Sequence, residues 1–245
     1  MLHRVDSLYD WFDIPESQRT RAMQIAREAA VRASTMMHVN DYHALAAVTL
    51  ATRPASIFEI GTYRGVTSDF FLSLLPDVKL VSIAYFAGRT RGYTNRARNL
   101  LVRILEAAGT SFSMYNHNAL TPREIGHAVA SENRPRFTQL IGDSHDLVAA
   151  EMISRFRRFD LVFIDGDHST RGVVLDTRLA ALLISANGTI CWHDANPKPG
   201  AIYVRRYLER KLPYTAVATR DDYHGGIACW SRHIEQRIAR ELIPA

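Results

Sequence analysis

Acidic and histidine side chains directly follow two apolar segments of the chain, 159–164 and 188–192. They are Asp165, Asp167 and His168 after the first segment, and His193 and Asp194 after the second. If the segments are neighbouring strands of a parallel sheet, their ends bring the carboxylates together. Carboxylates that close repel each other unless a proton or a cation lies between them. A divalent ion with oxygen ligands would satisfy the pair, so the spacing predicts a metal site at Asp165 and Asp194.

A plainer interpretation of the same residues stays open. Asp165 and Asp194 would cap the helices that follow them, and the two histidines would be hydrogen-bonded scaffold residues. Capping needs one acidic residue per helix, whereas several acidic residues and histidines are grouped after these two segments. The density favours the metal site.

A glycine turn, EIGTYRGVT at 59–67, follows an earlier apolar segment. Glycines at a strand-to-helix turn let the backbone approach a ligand, and the N-terminus of the helix offers free N–H groups. A tight connection without a ligand would also use such a turn. Because it opens the first strand–helix–strand unit, we expect it to bind a ligand.

Apolar segments alternate with helical segments from residue 55 onwards. This alternation predicts an α/β fold, a Rossmann-like, doubly wound and mostly parallel seven-stranded sheet with helices on both faces and a closing antiparallel strand pair. Ligands of such sheets bind beyond the carboxyl ends of the strands, where the residues above stand. The predicted strands are 55–60, 79–84, 137–141, 159–164, 188–192, 214–219 and 226–230.

Residues 15–51 are predicted to be helical in two segments, with helices at 16–33 and 41–52 and with Asp41 as the N-cap of the second. We therefore expect an N-terminal helical extension, 1–52, followed by a Rossmann-like domain, 53–245. The N-terminal helices could form a contact between subunits of a homo-oligomer.

The composition is that of a globular protein. Of the 245 residues, 47% are hydrophobic and 22% charged, which excludes disordered and fibrous classes. No apolar run approaches the roughly 18–20 residues that a membrane-spanning helix needs. With only two cysteines, Cys191 and Cys229, we expect a cytoplasmic protein with reduced thiols and no membrane partner.

Arginines between residues 89 and 103 form a basic cluster with Tyr93 among them. Nucleic-acid binding would need such basic residues on one face. A solvated helix or loop face explains a run of this kind more often. A nucleic-acid partner is therefore the weaker hypothesis.

The order of these motifs resembles the class I S-adenosylmethionine-dependent methyltransferases over roughly residues 50–232. More narrowly, it is similar to the metal-dependent O-methyltransferases of the catechol and macrocin type. The motifs that carry the resemblance are E-x-G-x-Y-x-G-x-T at 59–67, G-D-S at 142–144, F-D-L-V-F-I-D-G-D-H-S at 159–169 and H-D at 193–194.

The resemblance implies S-adenosylmethionine as cofactor, together with a divalent metal, Mg²⁺ or Mn²⁺. Glu59, Gly61, Tyr63, Gly65 and Thr67 would surround the methionine part of the cofactor, and Asp143 and Ser144 would lie beside its adenine. Asp165 and Asp194 would hold the metal with His193 as a third ligand, and Asp167 or His168 would take the proton of the acceptor.

The reaction implied is methyl transfer to a hydroxyl group of a small molecule, such as a sugar, polyketide or catechol-like metabolite. One departure stands at the end of the second predicted strand, where the family has an acidic residue that holds the ribose and this chain has Ala84. A catalytically degenerate methyltransferase-fold protein with a binding or scaffold role would explain the alanine. It would not explain why Asp165, Asp167 and Asp194 are retained.

Overall fold

The structure is a computed structural model that describes residues 2–3, 5–34, 37–85, 120–195, 202–211, 216–218, 225–232 and 234–236. A single mixed sheet of eight strands crosses the described residues, in the order β1-β7-β8-β6-β5-β2-β3-β4. The strands are β1 Leu2–His3, β2 Ser56–Ile60, β3 Lys79–Ala84, β4 Phe137–Ile141, β5 Phe159–Ile164, β6 Ile184–Trp192, β7 Ala216–Ala218 and β8 Ile227–Trp230.

The sheet is parallel except at β8, which pairs antiparallel with both β6 and β7. The predicted fold class, with its closing antiparallel pair, is confirmed. Seven strands were predicted, and the eighth is the two-residue strand β1, which adds to the edge of the sheet beside β7. Two residues are too few to give a periodic signal in the sequence.

Seven α-helices lie within the described ranges, on both faces of the sheet. Side chains alternate along the central strands. Ile57 packs with α1 to α4 on one face, and Phe58 with α5 to α7 on the other. The helices are α1 Val5–Trp11, α2 Glu16–Ala33, α3 Val39–Thr52, α4 Val66–Leu74, α5 Ala149–Phe156, α6 Thr170–Leu183 and α7 Ile202–Lys211.

The N-terminal helices α2 and α3 share one hydrophobic core with α4 and the sheet. Tyr42 and Leu45 of α3 are fully buried there. This packing places α3 directly against the strands whose ends carry the acidic residues. The division of the chain into 1–52 and 53–245 stays a prediction.

Helix α3 begins two residues earlier than predicted, and Asp41 is not its N-cap. His38 is the cap, and its ring nitrogen Nδ1 accepts a hydrogen bond from the Asn40 N–H at 3.2 Å. Asp41 stands at the third helical position and accepts from the His38 N–H at 3.2 Å. This reciprocal pair is a capping box, which is usually built with Ser or Thr as the cap, so histidine gave no signal.

No helix in the described part of the chain is long and apolar enough to cross a membrane. The arginine cluster at 89–103 lies outside the described residues. The hypothesis that it binds nucleic acid therefore has no structural account.

The two cysteines face each other on neighbouring strands, β6 and β8, and both are free. Burial raises the pKa of Cys191 well above its ordinary value and that of Cys229 to about 12. Buried protonated thiols are unreactive. We expect thiol counting on freshly purified, denatured, unreduced protein to give two free thiols per chain, and none in the native protein over the same time. One disulfide per chain would contradict this.

Candidate functional site

The candidate site lies where strands β5 and β6 end side by side. Ile164 and Trp192 are the last paired residues of the two strands. The His193 N–H extends the pairing by donating to the Ile164 carbonyl at 3.0 Å. The next side chains, from Asp165 and from His193 and Asp194, therefore leave the sheet at one point.

Asp165, His168, His193 and Asp194 form a cluster, called here the His–Asp cluster, whose nearest polar atoms all lie within 4.8 Å of one another. His168 Nε2 is 2.7 Å from Asp194 Oδ2 and 3.3 Å from Asp165 Oδ1. His193 Nδ1 is 3.0 Å from Asp165 Oδ1 and 3.7 Å from Asp194 Oδ1. The two imidazoles thus stand between the two carboxylates.

Charge balances within the His–Asp cluster. Burial opposes the ionised form of Asp165 and Asp194, but His193 and His168 outweigh it and hold both pKa values below the ordinary one. Burial likewise lowers the pKa of His168, but hydrogen bonds with both carboxylates raise it to about 10. The pKa of His193 is raised well above its usual value against the same burial, mainly by Asp165. Positive charge on the two imidazoles would offset the two carboxylates, as a bound cation could.

Helix α6 is capped by Ser169 and not by Asp165. The Ser169 hydroxyl accepts from the Gly172 N–H at 3.0 Å. Asp167 belongs to this cap, since its carboxylate accepts from the Ser169 N–H at 2.9 Å and from its hydroxyl at 2.8 Å. Capping therefore does not explain Asp165. Capping does involve Asp167. The roles of Asp167 and His168 as a base stay predictions.

Asp41 of helix α3 reaches the site, and sequence reasoning missed it. Its Oδ2 lies 3.3 Å from His193 Nε2, and its Oδ1 accepts from the Gly226 N–H at 2.8 Å. The two partners are 152 and 185 residues away in the chain. No local pattern could have indicated these contacts.

The glycine turn touches the His–Asp cluster. Gly61 has φ +110°, and a Cβ atom built on it would lie 2.1 Å from the Asp165 carbonyl oxygen. Gly65 has φ +87°, and its Cβ would lie 2.8 Å from Gly126 Cα. Glycine is required at both positions because the backbone conformation and the space exclude a side chain. The turn predicted to hold the cofactor therefore abuts the acidic residue predicted to hold the metal.

Glu59 is fully buried beneath the glycine turn. Its Oε2 accepts hydrogen bonds from the hydroxyls of Ser68 and, at 2.6 Å, of Ser82. Its Oε1 is buried and has no hydrogen-bond partner among the described residues. Burial raises the pKa of Glu59 to about 7, although the two hydroxyls oppose this. The carboxyl group thus keeps one acceptor atom for a ligand or a proton.

The other residues predicted around the methionine part are spread along the turn and the start of α4. The Thr67 hydroxyl lies 3.3 Å from the Tyr42 hydroxyl of helix α3. Tyr63 has φ +46°, and its carbonyl accepts from the Gly126 N–H at 3.0 Å. Thr67 therefore contacts the N-terminal helices, and Tyr63 contacts the segment before β4.

Asp143 and Ser144 follow β4, as predicted, and Asp143 lies at the edge of a cavity of about 340 Å³. The Asp143 carboxylate accepts from the His145 N–H at 2.9 Å and lines the cavity. The Ser144 hydroxyl donates to Asp176 Oδ1 at 2.7 Å. Ala84 ends the neighbouring strand β3, where its carbonyl accepts from the Gly142 N–H at 3.0 Å. Asp143 therefore places a carboxylate one residue after Gly142, the residue that contacts Ala84.

The chain matches a family model described as a methyltransferase domain over residues 58–195. This span runs from β2 to the end of the His–Asp cluster. It contains the glycine turn, Asp143 and all four residues of the cluster. No protein with a curated description matches the sequence.

Several solved structures are similar in overall fold. An O-methyltransferase from Bacillus cereus in complex with SAH has 16% identity and a TM-score of 0.48, covering 89% of this chain and 93% of that one. An O-methyltransferase from Streptomyces achromogenes, involved in tomaymycin synthesis and bound to SAM, has 18% identity and a TM-score of 0.45, covering 89% and 90%. An SAH-bound methyltransferase from Podospora anserina has 14% identity and a TM-score of 0.46, covering 89% of both chains.

Proposed function

The chain belongs to the methyltransferase-domain family, and from this premise we propose that it transfers a methyl group to a hydroxyl oxygen of a small molecule with the help of a divalent metal ion. Family membership confirms the methyltransferase predicted from the sequence. S-adenosylmethionine as its methyl donor is part of our proposal. Oxygen as the acceptor atom, the metal and the acceptor class, a sugar, polyketide or catechol-like metabolite, are our proposal.

One observation carries the proposal, namely the contact between the glycine turn and the His–Asp cluster. Because Gly61 abuts the backbone of Asp165, a cofactor bound over the turn would have its reactive end beside the two carboxylates. A methyl donor and an ion-binding acceptor site would then share one edge of the sheet. Metal-assisted O-methyl transfer needs this arrangement.

The residues present fit the cofactor at two points. Glu59 Oε1 is a buried acceptor atom under the turn, and an ammonium group such as that of methionine would satisfy it. Asp143 lines a cavity and follows Gly142, the residue that contacts Ala84, so its carboxylate can accept from ribose or adenine donors. We propose that Asp143 supplies the acidic contact that Ala84 does not.

The residues also fit a metal ion. Two carboxylates and two imidazoles converge with their polar atoms within 4.8 Å of one another. The predicted ligands Asp165, Asp194 and His193 would hold the ion. When bound, it would polarise the acceptor oxygen and lower the pKa of the hydroxyl group.

The sulfonium of S-adenosylmethionine makes the methyl group electrophilic, so the protein has to align the acceptor oxygen and remove its proton. In solution the two reactants lose translational and rotational entropy when they meet in the reactive geometry. Binding them side by side in the site removes this loss from the reaction step. Methyl transfer would form the O–CH₃ bond as the S–CH₃ bond breaks, with S-adenosylhomocysteine as the leaving group and the hydroxyl proton passing to a base. His168 and Asp167 are the two candidates for that base.

Location and assembly complete the proposal. Two free cysteines in a chain of this size are typical of a reducing compartment, and we propose a cytoplasmic enzyme. Assembly through the N-terminal helices stays a prediction.

Equilibrium dialysis with labelled S-adenosylmethionine tests the cofactor, and label transfer to a panel of small hydroxyl compounds tests the reaction. We expect saturable binding in the wild type. Asp143→Asn should weaken it by about tenfold, since hydrogen bonds to charged groups contribute about 1.5–3 kcal/mol. The control Asp10→Asn changes an exposed residue paired with Arg19 and should bind as the wild type does. Absence of binding in folded wild-type protein would reject the enzyme and favour the degenerate scaffold.

A further inference from the structure

The His–Asp cluster offers two ring nitrogens and two carboxylate oxygens, an unusual set for a magnesium site. Its four closest nitrogen-to-oxygen distances run from 2.7 to 3.7 Å. Ligand atoms about 2.0–2.1 Å from a four-coordinate ion are separated by roughly 3.3 Å. The four distances, which involve both oxygens of Asp194, bracket this separation, and one ligand atom from each of the four residues lies within 4.8 Å of the others.

Asp41 gives an independent reason to treat His193 as a metal ligand. Histidine ligands generally donate their other ring N–H to a carboxylate, which fixes the tautomer and the ring orientation. Asp41 Oδ2 lies 3.3 Å from Nε2 of His193, while Nδ1 faces Asp165 and Asp194. If Nε2–H donates to Asp41, Nδ1 of the neutral ring is the atom left to bind an ion beside the two carboxylates.

Asp41 is itself held in place, so it can position the ring. It is 2% exposed, and it accepts hydrogen bonds from the backbone N–H groups of His38 and Gly226. These contacts tie it to the start of α3 and to the residue before β8. A carboxylate held by two backbone N–H groups is a rigid support for His193.

We infer that the His–Asp cluster is a four-ligand site for a first-row transition-metal dication in preference to Mg²⁺, with Asp41 as the positioning residue for His193. The inference deepens the proposed function, on whose metal site it rests. Mg²⁺ prefers oxygen ligands and retains several waters, whereas imidazole suits zinc, iron, cobalt and nickel. With His168 as a ligand, Asp167 is left to take the proton of the acceptor.

Cobalt(II) alone, without cofactor, is the probe, because its visible absorption reports its ligands. We expect chelator-treated wild type to bind one Co²⁺ per chain with a visible band that Zn²⁺ abolishes and a hundredfold excess of Mg²⁺ does not. His193→Gln and His168→Gln should change the band. Asp41→Asn should weaken Co²⁺ binding by 10- to 100-fold, the usual effect of losing such a support.

His127→Gln is the matched control, since it changes an exposed histidine bonded to the Glu124 backbone, and it should bind Co²⁺ as the wild type does. Circular dichroism shows whether each variant is folded, and His168, on the exposed side of the cluster, gives a variant that does not disturb the core. Displacement of Co²⁺ by equimolar Mg²⁺, or an unchanged band in both histidine variants, would overturn the inference. Because neither cofactor nor acceptor is present, failure of methyl transfer would leave this result unaffected.

Discussion

Asp165→Asn and Asp194→Asn are each expected to lower kcat for methyl transfer by more than about 100-fold, with little change in affinity for S-adenosylmethionine. Loss of a residue that only supports a metal ligand already lowers metal affinity or activity 10- to 100-fold. These substitutions remove the charge of the ligand itself. The cofactor is proposed to be held elsewhere, by the glycine turn, Glu59 and Asp143. The effect should therefore appear in kcat and not in cofactor binding.

Steady-state kinetics with calorimetry of cofactor binding measures both quantities. Chelator should reduce the wild type to the level of the variants, and added divalent metal should restore the wild type alone. Asp77→Asn, at an exposed carboxylate between α4 and β3, is the control and should keep full activity. A helix-capping role would make asparagine nearly neutral, since it caps about as well as aspartate. Full activity of either variant in the presence of chelator would end the metal proposal.

The parts of the fold that sequence reasoning predicted are those with a periodic signal. The apolar run 159–164 is β5, buried on both faces as such a run predicts. Since that strand ends at Ile164, Asp165 had to stand at the carboxyl edge of the sheet. The same reasoning placed His193 and Asp194 after β6. Strand order then brought these residues together.

The parts that were missed depend on contacts between distant segments. Asp41 looked like a helix cap because it begins an apolar helical pattern, and its contact with His193 spans 152 residues. The spacing could not separate the roles of His168 and Asp167, which are neighbours in the chain. In the fold Asp167 joins the Ser169 cap of α6, whereas His168 contacts the carboxylates of the His–Asp cluster. Local sequence fixes which residues reach the edge of the sheet, and packing decides which of them meet.

Glu59 gives the second large effect, a pH-dependent loss of stability. Its pKa is about 7 in the folded protein against 4.5 as the ordinary value, chiefly because of burial. Between these values the folded state holds a proton that the unfolded state releases, so stability falls as pH rises from about 4.5 to 7. A pKa difference of 2.5 corresponds to roughly 3 kcal/mol at 1.36 kcal/mol per unit.

Glu59→Gln removes this titration while keeping the shape of the side chain and an acceptor for Ser68 and Ser82. The free energy of unfolding of the variant minus that of the wild type, from urea denaturation without cofactor, should increase by roughly 3 kcal/mol between pH 4.5 and 8. The control Glu132→Gln, at an exposed carboxylate, should give the same difference at both pH values. A constant difference for Glu59→Gln would mean that Glu59 stays ionised in the fold, with its charge balanced by a group that reaches Oε1.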